Sequence, residues 1–205
     1  MRFVKNKKII IIFVVFSILS IASVFQGYFF GNIIIDKELK KDLQNTIYLD
    51  LEKCRITVSM LTEIAPLHIS RIKQLVREKF YDNLFFHRVI NDFMAQAGGK
   101  ENDLNYGSGK KIKAEFSDRK HIVGAVSMAR AEDVNSADSQ FFIVTKDSPF
   151  LDGQYTIWGE VIDGMDCVNS IKKGDVINNG MVNNPTKIKS MRMAIDVEIE
   201  NAKKK

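Results

Sequence analysis

The sequence predicts a mainly β domain, an antiparallel barrel closed on itself and covered by helical lids, behind one N-terminal membrane-spanning helix. Three observations lead there. Short runs of alternating, β-branched or aromatic residues recur from Arg55 to the C-terminal end, whereas only two segments carry helical spacing. Many strands with few helices favour closure, because closure removes unpaired edges. An uncharged stretch, Ile9 to Phe30, follows a basic N-terminus.

Taken in chain order, residues 1–8 form a basic segment (Arg2, Lys5, Lys7, Lys8) and residues 9–30 are long enough to cross a bilayer, for which about 20 residues suffice. Positive charge before the span predicts a cytoplasmic N-terminus and a domain on the far side. Phe25, Tyr28, Phe29 and Phe30 then suit the outer interface as aromatic anchors. A cleaved signal peptide is the competing reading, with Ser20-Ile21-Ala22 as its small-residue site, but hydrophobic character continues past it. Either way the domain leaves the cytoplasm, membrane-anchored in one case and secreted in the other. Residues 31–44, short and increasingly charged, read as a linker with helical potential, and residues 45–205 as one domain.

Within the domain, Ile56, Val58 and Met60 alternate with Arg55, Thr57 and Ser59 as a half-buried strand does. Pro66 suits the first position of a helix in which Ile69, Ile72, Leu75 and Val76 line one face. Phe141 to Thr145 and Tyr155 to Val161 read as strands flanking the turn-like Leu151-Asp152-Gly153-Gln154. A short helix places Met165, Val168 and Ile171 together and stops at Gly174. Met191, Met193, Ile195, Val197 and Ile199 alternate with polar residues and predict a last strand.

The net charge of +5 misleads. Without the four N-terminal cations and Lys203-Lys204-Lys205, 23 basic residues face 25 acidic ones. A nucleic-acid binder needs a basic face on its folded domain, so no nucleic-acid partner is expected. No CxxC, HExxH or His cluster is present, so neither a metal nor another cofactor is expected. An export route permits a disulfide between Cys54 and Cys167, but spacing leaves open whether the two meet.

Two apolar segments contain polar side chains that a core does not need: Phe85-Phe86-His87-Arg88-Val89-Ile90-Asn91-Asp92-Phe93-Met94-Ala95-Gln96 and Ser139-Gln140-Phe141-Phe142-Ile143-Val144. If they line one pocket, it offers a fixed cation, amides and apolar walls, but no nucleophile. Such a pocket fits a proline-containing peptide, and it fits a reaction that cleaves nothing, rotation about the X–Pro bond. Rotation breaks amide resonance against a barrier of about 18–20 kcal/mol. In the twisted state the prolyl nitrogen regains its lone pair, so an arginine aimed at it favours that state over the planar one. A charge-assisted hydrogen bond of about 1.5–3 kcal/mol corresponds to one or two orders of magnitude in rate. Water exclusion and preorganisation must supply the rest.

Phe86-His87-Arg88-Val89-Ile90 with Phe93-Met94-Ala95-Gln96, then Ser127-Met128-Ala129, Ser139-Gln140-Phe141-Phe142-Ile143 and Leu151-Asp152-Gly153, closely resembles the cyclophilin family of peptidyl-prolyl isomerases. The resemblance runs from about Leu49 to Val197 and implies an eight-stranded antiparallel β-barrel capped by two helices. It implies Arg88 as the catalytic arginine and Gln96 as the residue that orients it. Phe93, Met94, Phe142 and Leu151 match the walls of the proline pocket, and Ala129 and Gln140 match contacts to the substrate backbone. Phe150 and Tyr155 stand at binding positions often held by Trp and His, which implies weak cyclosporin binding. Asn91-Asp92 and Ala97 replace the usual Pro-Gly and Gly of the first motif, and Arg130 follows Ser-Met-Ala as in bacterial-type members.

The implied activity is that of a monomeric isomerase acting on proline-containing polypeptides. The alternative is a chaperone module that holds proline-containing segments without turning them over, for which the Arg88–Gln96 pair is not required. His87 reads as a structural histidine, while His68 and His121 show no partner in the sequence. Gly107-Ser108-Gly109 lacks the Gly-Lys-Ser/Thr of a phosphate loop and reads as a turn, with Lys110, Lys111 and Lys113 as a solvated rim.

Overall fold

The computed structural model describes residues 37, 39–100, 103 and 105–204, and Leu43–Lys205 form one compact unit. Nine strands make a single antiparallel sheet: β1 (Thr46–Asp50), β2 (Arg55–Met60), β3 (Phe85–Ile90), β4 (Met94–Ala97), β5 (Ala125–Met128), β6 (Phe141–Val144), β7 (Ile157–Asp163), β8 (Met181–Lys187) and β9 (Ser190–Met193). Their spatial order is β8-β3-β4-β6-β5-β7-β2-β1-β9. The expected barrel of eight strands is therefore corrected to nine, curled but not closed by hydrogen bonds, since β8 and β9 pair inward only. Pro185, which cannot donate to a ladder, sits in edge strand β8 where this is tolerated.

The helices are α1 (Pro66–Arg77), α2 (Met165–Ser170) and α3 (Ala194–Lys203), with a 3₁₀ turn at Pro149–Leu151. Pro66 opens α1 as expected, and His68, Ile69, Ile72, Leu75 and Val76 form its buried face. Its N-terminal end is capped from a distance: the Glu115 carboxylate accepts from the backbone N–H of Leu67 and His68, each at 3.0 Å. The His68 ring meets the same carboxylate at 2.7 Å, the partner that sequence reading did not find.

The last predicted strand is wrong beyond Met193. β9 pairs with β1 from Met193↔Ile47 to Ser190↔Asp50, and β1 offers only Thr46 beyond that. With no ladder to continue, the chain turns into α3, which carries Asp196 in its first turn and Lys203 in its last, as the helix dipole favours. Three helices thus follow β1 where two were expected. Residues 9–30, expected as a membrane span, and residues 31–36 and 38 of the linker lie outside the described residues, whereas residues 39–44 are helical. No helix among the described residues is long and apolar enough to cross a membrane.

Most core residues form one cluster inside the curl, with Trp158, Tyr81, Phe86 and Phe141 its bulkiest members. Phe141 meets Trp158 and Tyr81 edge-on, and the Tyr81 hydroxyl donates to the Ser139 carbonyl at 2.8 Å. A second, smaller cluster of Met94, Ala125, Phe142, Val144 and Leu151 lies apart from it. β5 and β6 are therefore buried on both faces, which is why they read as continuous apolar runs without alternation. Cys54 and Cys167 form a disulfide that joins the β1–β2 turn to α2.

Candidate active site

The direction of Arg88 departs from simple alternation along β3. Phe86 and Val89 both belong to the main core, yet residues three apart in an unbroken strand point to opposite faces. Between Phe86 and Arg88 the pairing with β8 slips, five steps along β8 (Thr186 to Met181) spanning two along β3, while the pairing with β4 keeps one register, and Arg88 is turned away from the core that Phe86 enters. Arg88 then stands opposite Gln96, and Ile90 opposite Met94. His87 lies within the shift, fully buried against Gly99, where an added Cβ would come within 2.5 Å of the ring. Burial holds the His87 pKa down, with hydrogen bonding to the Phe85 carbonyl, long at 3.4 Å, and to Gln140 acting in the opposite sense. It is a packing histidine.

The β3–β4 hairpin is turned by Asn91, Asp92 and Phe93. Asp92 takes the left-handed region (φ 52°), a conformation that Asp tolerates better than most residues. The family's usual glycine is thus replaced by another residue suited to that geometry. Ala97, the other departure, is fully buried in the main core, and the backbone freedom is supplied one residue later by Gly98 (φ 90°).

Beyond Gln96 the sheet continues the same face, with Gln96 opposite Phe142 and Met94 opposite Val144. The 3₁₀ turn brings Leu151 onto this surface. His121 fastens that turn to β6 and β5. Its ring stacks on Phe142 at 6.2 Å, its Nδ1 lies 3.0 Å from the Asp152 carboxylate, and its Nε2 lies 3.2 Å from the Ser127 hydroxyl. Burial pushes the His121 pKa down, with Asp152 pulling the other way. The triad-like set is no nucleophilic site, because Ser127 is fully buried and donates to the Thr156 carbonyl.

Arg88, Phe93, Met94, Gln96, Ala129, Phe142, Leu151 and Tyr155 line one recess of about 90 Å³. That volume equals about three waters in the liquid and is far below the roughly 300–1,000 Å³ of drug-sized sites. It suits one small ring. Gln140 is not in its wall but lies one step behind Gln96. Phe150 is also outside it, largely exposed at the rim, with its ring 5.3 Å from that of Phe93. Phe142 meets Tyr155 edge-on at 5.8 Å.

Two lining or supporting residues were not among the sequence candidates. Arg130 also lines the recess, stacked over Tyr155 at 4.6 Å, with its donors taken by the carbonyls of Gln154, Ala131 and Glu132. Asn179, from the turn before β8, grips Arg88 twice. Nε donates to the Asn179 carbonyl and Nη2 to its side-chain oxygen, both at 3.0 Å. The Asn179-Gly180 pair signals a turn in sequence, but nothing local indicates that it reaches Arg88.

The polar network has a fixed sense. Arginine has only donors, so Gln96 presents its oxygen to Arg88 Nη1 at 3.1 Å and its amide NH₂ to Gln140 at 2.8 Å. Gln140 in turn donates to the Tyr106 carbonyl at 2.8 Å. Among the described residues Arg88 has no carboxylate partner; its three acceptors are neutral, and two of its five N–H groups remain uncommitted. Burial lowers its pKa somewhat, with Tyr155 acting in the opposite sense, but a guanidinium stays charged at any working pH. No group of three or more metal-ligating side chains occurs among the described residues. The site therefore presents a half-buried, unneutralised cation beside a ring-sized apolar recess.

Residues 46–193 match the profile of the family described as "Cyclophilin type peptidyl-prolyl cis-trans isomerase/CLD". A "Probable peptidyl-prolyl cis-trans isomerase" of Brucella suis is 43% identical over 163 residues, covering 72% of this chain and 81% of that protein. The "Peptidyl-prolyl cis-trans isomerase B" of Bacillus subtilis is 37% identical over 125 residues, covering 60% and 87%. A cyclophilin from Hirschia baltica superposes with a TM-score of 0.63 at 26% identity over 74% of each chain. The fold is also shared with a Cryptosporidium parvum cyclophilin crystallised in the presence of the dipeptide Ala-Pro, at a TM-score of 0.65 and 24% identity, covering 72% and 98%. With the family profile spanning the sheet from β1 to β9, and relatives of this name matched over most of their length, the chain belongs to the cyclophilin-type peptidyl-prolyl cis-trans isomerases.

Proposed function

We propose that this isomerase turns X–Pro bonds in exported or folding polypeptides, with Arg88 as the group that stabilises the twisted amide. The proline ring enters the recess between Phe93, Met94, Phe142 and Leu151, with Ala129, Gln140, Phe150 and Tyr155 meeting the rest of the peptide. The uncommitted N–H groups of Arg88 donate to the prolyl nitrogen as it becomes pyramidal, and Gln96 keeps the guanidinium aimed. The observation that carries this reading is the set of neutral acceptors around Arg88. A carboxylate partner would cancel the field that favours the twisted state, whereas amides hold the cation in place and leave its charge available. The chemistry uses this chain's own side chains alone and needs no cofactor.

We further place the domain outside the cytoplasm, working as a monomer and tethered by residues 9–30 or released after signal cleavage. The Cys54–Cys167 disulfide supports that compartment, since such bonds persist where the environment oxidises. A thiol count on protein from the native membrane or medium tests it, and two free thiols would argue for the cytoplasm.

The activity is tested by NMR exchange on an Ala-Pro peptide with the full chain. Wild type accelerates exchange, and Arg88→Ala loses at least one to two orders of magnitude, matching about 1.5–3 kcal/mol, while peptide affinity changes little. Peptide binding without acceleration by the folded wild type would replace this reading with a holdase.

A further inference from the structure

Val176 and Ile177 are the two most exposed large hydrophobic residues among those described, 75% and 92% accessible. They lie in a tight turn, where Gly, Asn, Asp and Ser usually serve. Hydrogen bonds to its own backbone and to Asp175 close the turn. Gly180 N–H donates to the Asp175 carbonyl at 2.8 Å, Asn179 N–H to Val176 at 3.2 Å, and Ile177 N–H to the Asp175 carboxylate at 2.9 Å. Two further backbone bonds pin it to β3 beside Arg88, from Val89 N–H to the Gly180 carbonyl at 2.8 Å and from Gly174 N–H to the Val89 carbonyl at 2.9 Å. The same turn supplies Asn179, which holds Arg88 with both backbone and side chain.

The exposed pair is therefore continuous with the site, two and three residues along the chain from the residue that positions Arg88. The other flank differs in character. Beyond Gln96 and Gln140 lies a wider groove of about 370 Å³ lined by Tyr106, Lys111, Ser136 and Asp138. A groove of mostly polar lining thus adjoins the recess at Gln96, while the turn that carries the apolar pair adjoins it at Arg88.

We infer that Val176 and Ile177 form a docking edge for a nonpolar side chain of the same polypeptide whose proline occupies the recess. This rests on the reading of the recess as the proline site. The edge selects segments in which a proline and a large apolar residue lie a few positions apart, as they do in unfolded chains whose core residues are still exposed. Extended chain advances about 3.3 Å per residue, so a side chain two to four residues from the proline lies about 7–13 Å along the substrate.

The test uses the full chain, a four-residue Ala-Pro peptide, and two pairs of longer peptides with leucine or serine two to four residues from the proline, one pair varied before it and one after it. Wild type shows kcat/KM about tenfold higher for one leucine peptide than for its serine counterpart, corresponding to about 1.4 kcal/mol of partial burial. Val176→Ser/Ile177→Ser removes that preference, and Ile177→Lys does the same, while the four-residue peptide is isomerised at the wild-type rate. Equal rates for leucine and serine peptides, or a preference that survives both variants, overturn the proposal. Sedimentation with anionic vesicles and analytical ultracentrifugation cover the other occupants. Loss of vesicle binding or of self-association in the variants, with peptide preference intact, assigns the edge elsewhere and also overturns it. Failure of wild type on the four-residue peptide would instead sink the isomerase mechanism proposed for Arg88, a separate outcome.

Discussion

Asn179→Gly isolates the grip on Arg88. The substitution deletes the side-chain oxygen that accepts from Nη2 at 3.0 Å but keeps the backbone carbonyl that accepts from Nε. It also suits the backbone, because Asn179 has φ 55°, a conformation in which glycine is unstrained. Stability should therefore hold, whereas a truncation elsewhere in the turn would confuse folding with function. A hydrogen bond to a charged group contributes about 1.5–3 kcal/mol. Two of the three contacts persist, so we expect the lower end, about 1.4 kcal/mol or a tenfold fall in kcat/KM. The loss should fall on kcat, since the contact orients the cation rather than the proline ring. Gln96→Ala should cost more, because it removes the Nη1 contact and also breaks the link from Gln96 to Gln140. The assay is NMR exchange on an Ala-Pro peptide, paired with urea denaturation. A kcat/KM within twofold of wild type for Asn179→Gly, at unchanged stability, would refute the view that Asn179 aims Arg88.

Replacing both Cys54 and Cys167 with Ser should lower unfolding free energy by about 2–5 kcal/mol, read from the urea midpoint, with little change in kcat because neither residue lines the recess. Asp92→Val forces a β-branched residue to φ 52° and should destabilise by about 1–2 kcal/mol, whereas Asp92→Gly should be near neutral in the same titration. Acid should destabilise the domain from mild pH. His68, His87 and His121 are buried with pKa values below 6.5. Below 6.5 the unfolded chain binds more protons, so their contribution is complete above that pH and declines as pH falls through the folded values, each by up to about 1.4 kcal/mol per pH unit. Burial alone would raise the Glu115 pKa, but hydrogen bonds from Leu67 and His68 outweigh it and hold the carboxyl low, which adds a further loss below about pH 4.5. A urea midpoint that is flat or rising from pH 7.5 to 5.5 would contradict this. Phe150 should leave cyclosporin binding weak, and a calorimetric titration with nanomolar affinity would count against that.

The motifs alone were enough to name the recess. Arg88, Gln96, Phe93, Met94, Phe142 and Leu151 lie in short segments whose mixture of amides, cation and apolar walls has no role in an ordinary core, and the structure brings all six together. Alternation located β2, and the two helical segments were visible from spacing and Pro66. Local pattern failed where the deciding partner was remote. Met191 to Ile199 alternates throughout, but a strand needs a neighbour, and β1 ends before Ile195 could use it. Asn183-Asn184-Pro185 argues against a strand by composition, yet an edge position accepts it in β8. The partners of His68 and His121 lie 47 and 31 residues away and could not be chosen from among the acids in the sequence.

What the sequence determined was therefore chemistry: which residue types stand in which short segments, and hence a pocket suited to amide rotation. Direction and support were left to the tertiary structure. Arg88 faces the recess while Phe86 and Val89 enter the core, across a slip in the β3–β8 pairing that the hydrophobic pattern of β3 does not reveal. Its aim depends on Asn179, 91 residues on. A side chain's identity is local, but the direction it faces and the atoms that hold it there are properties of the folded sheet.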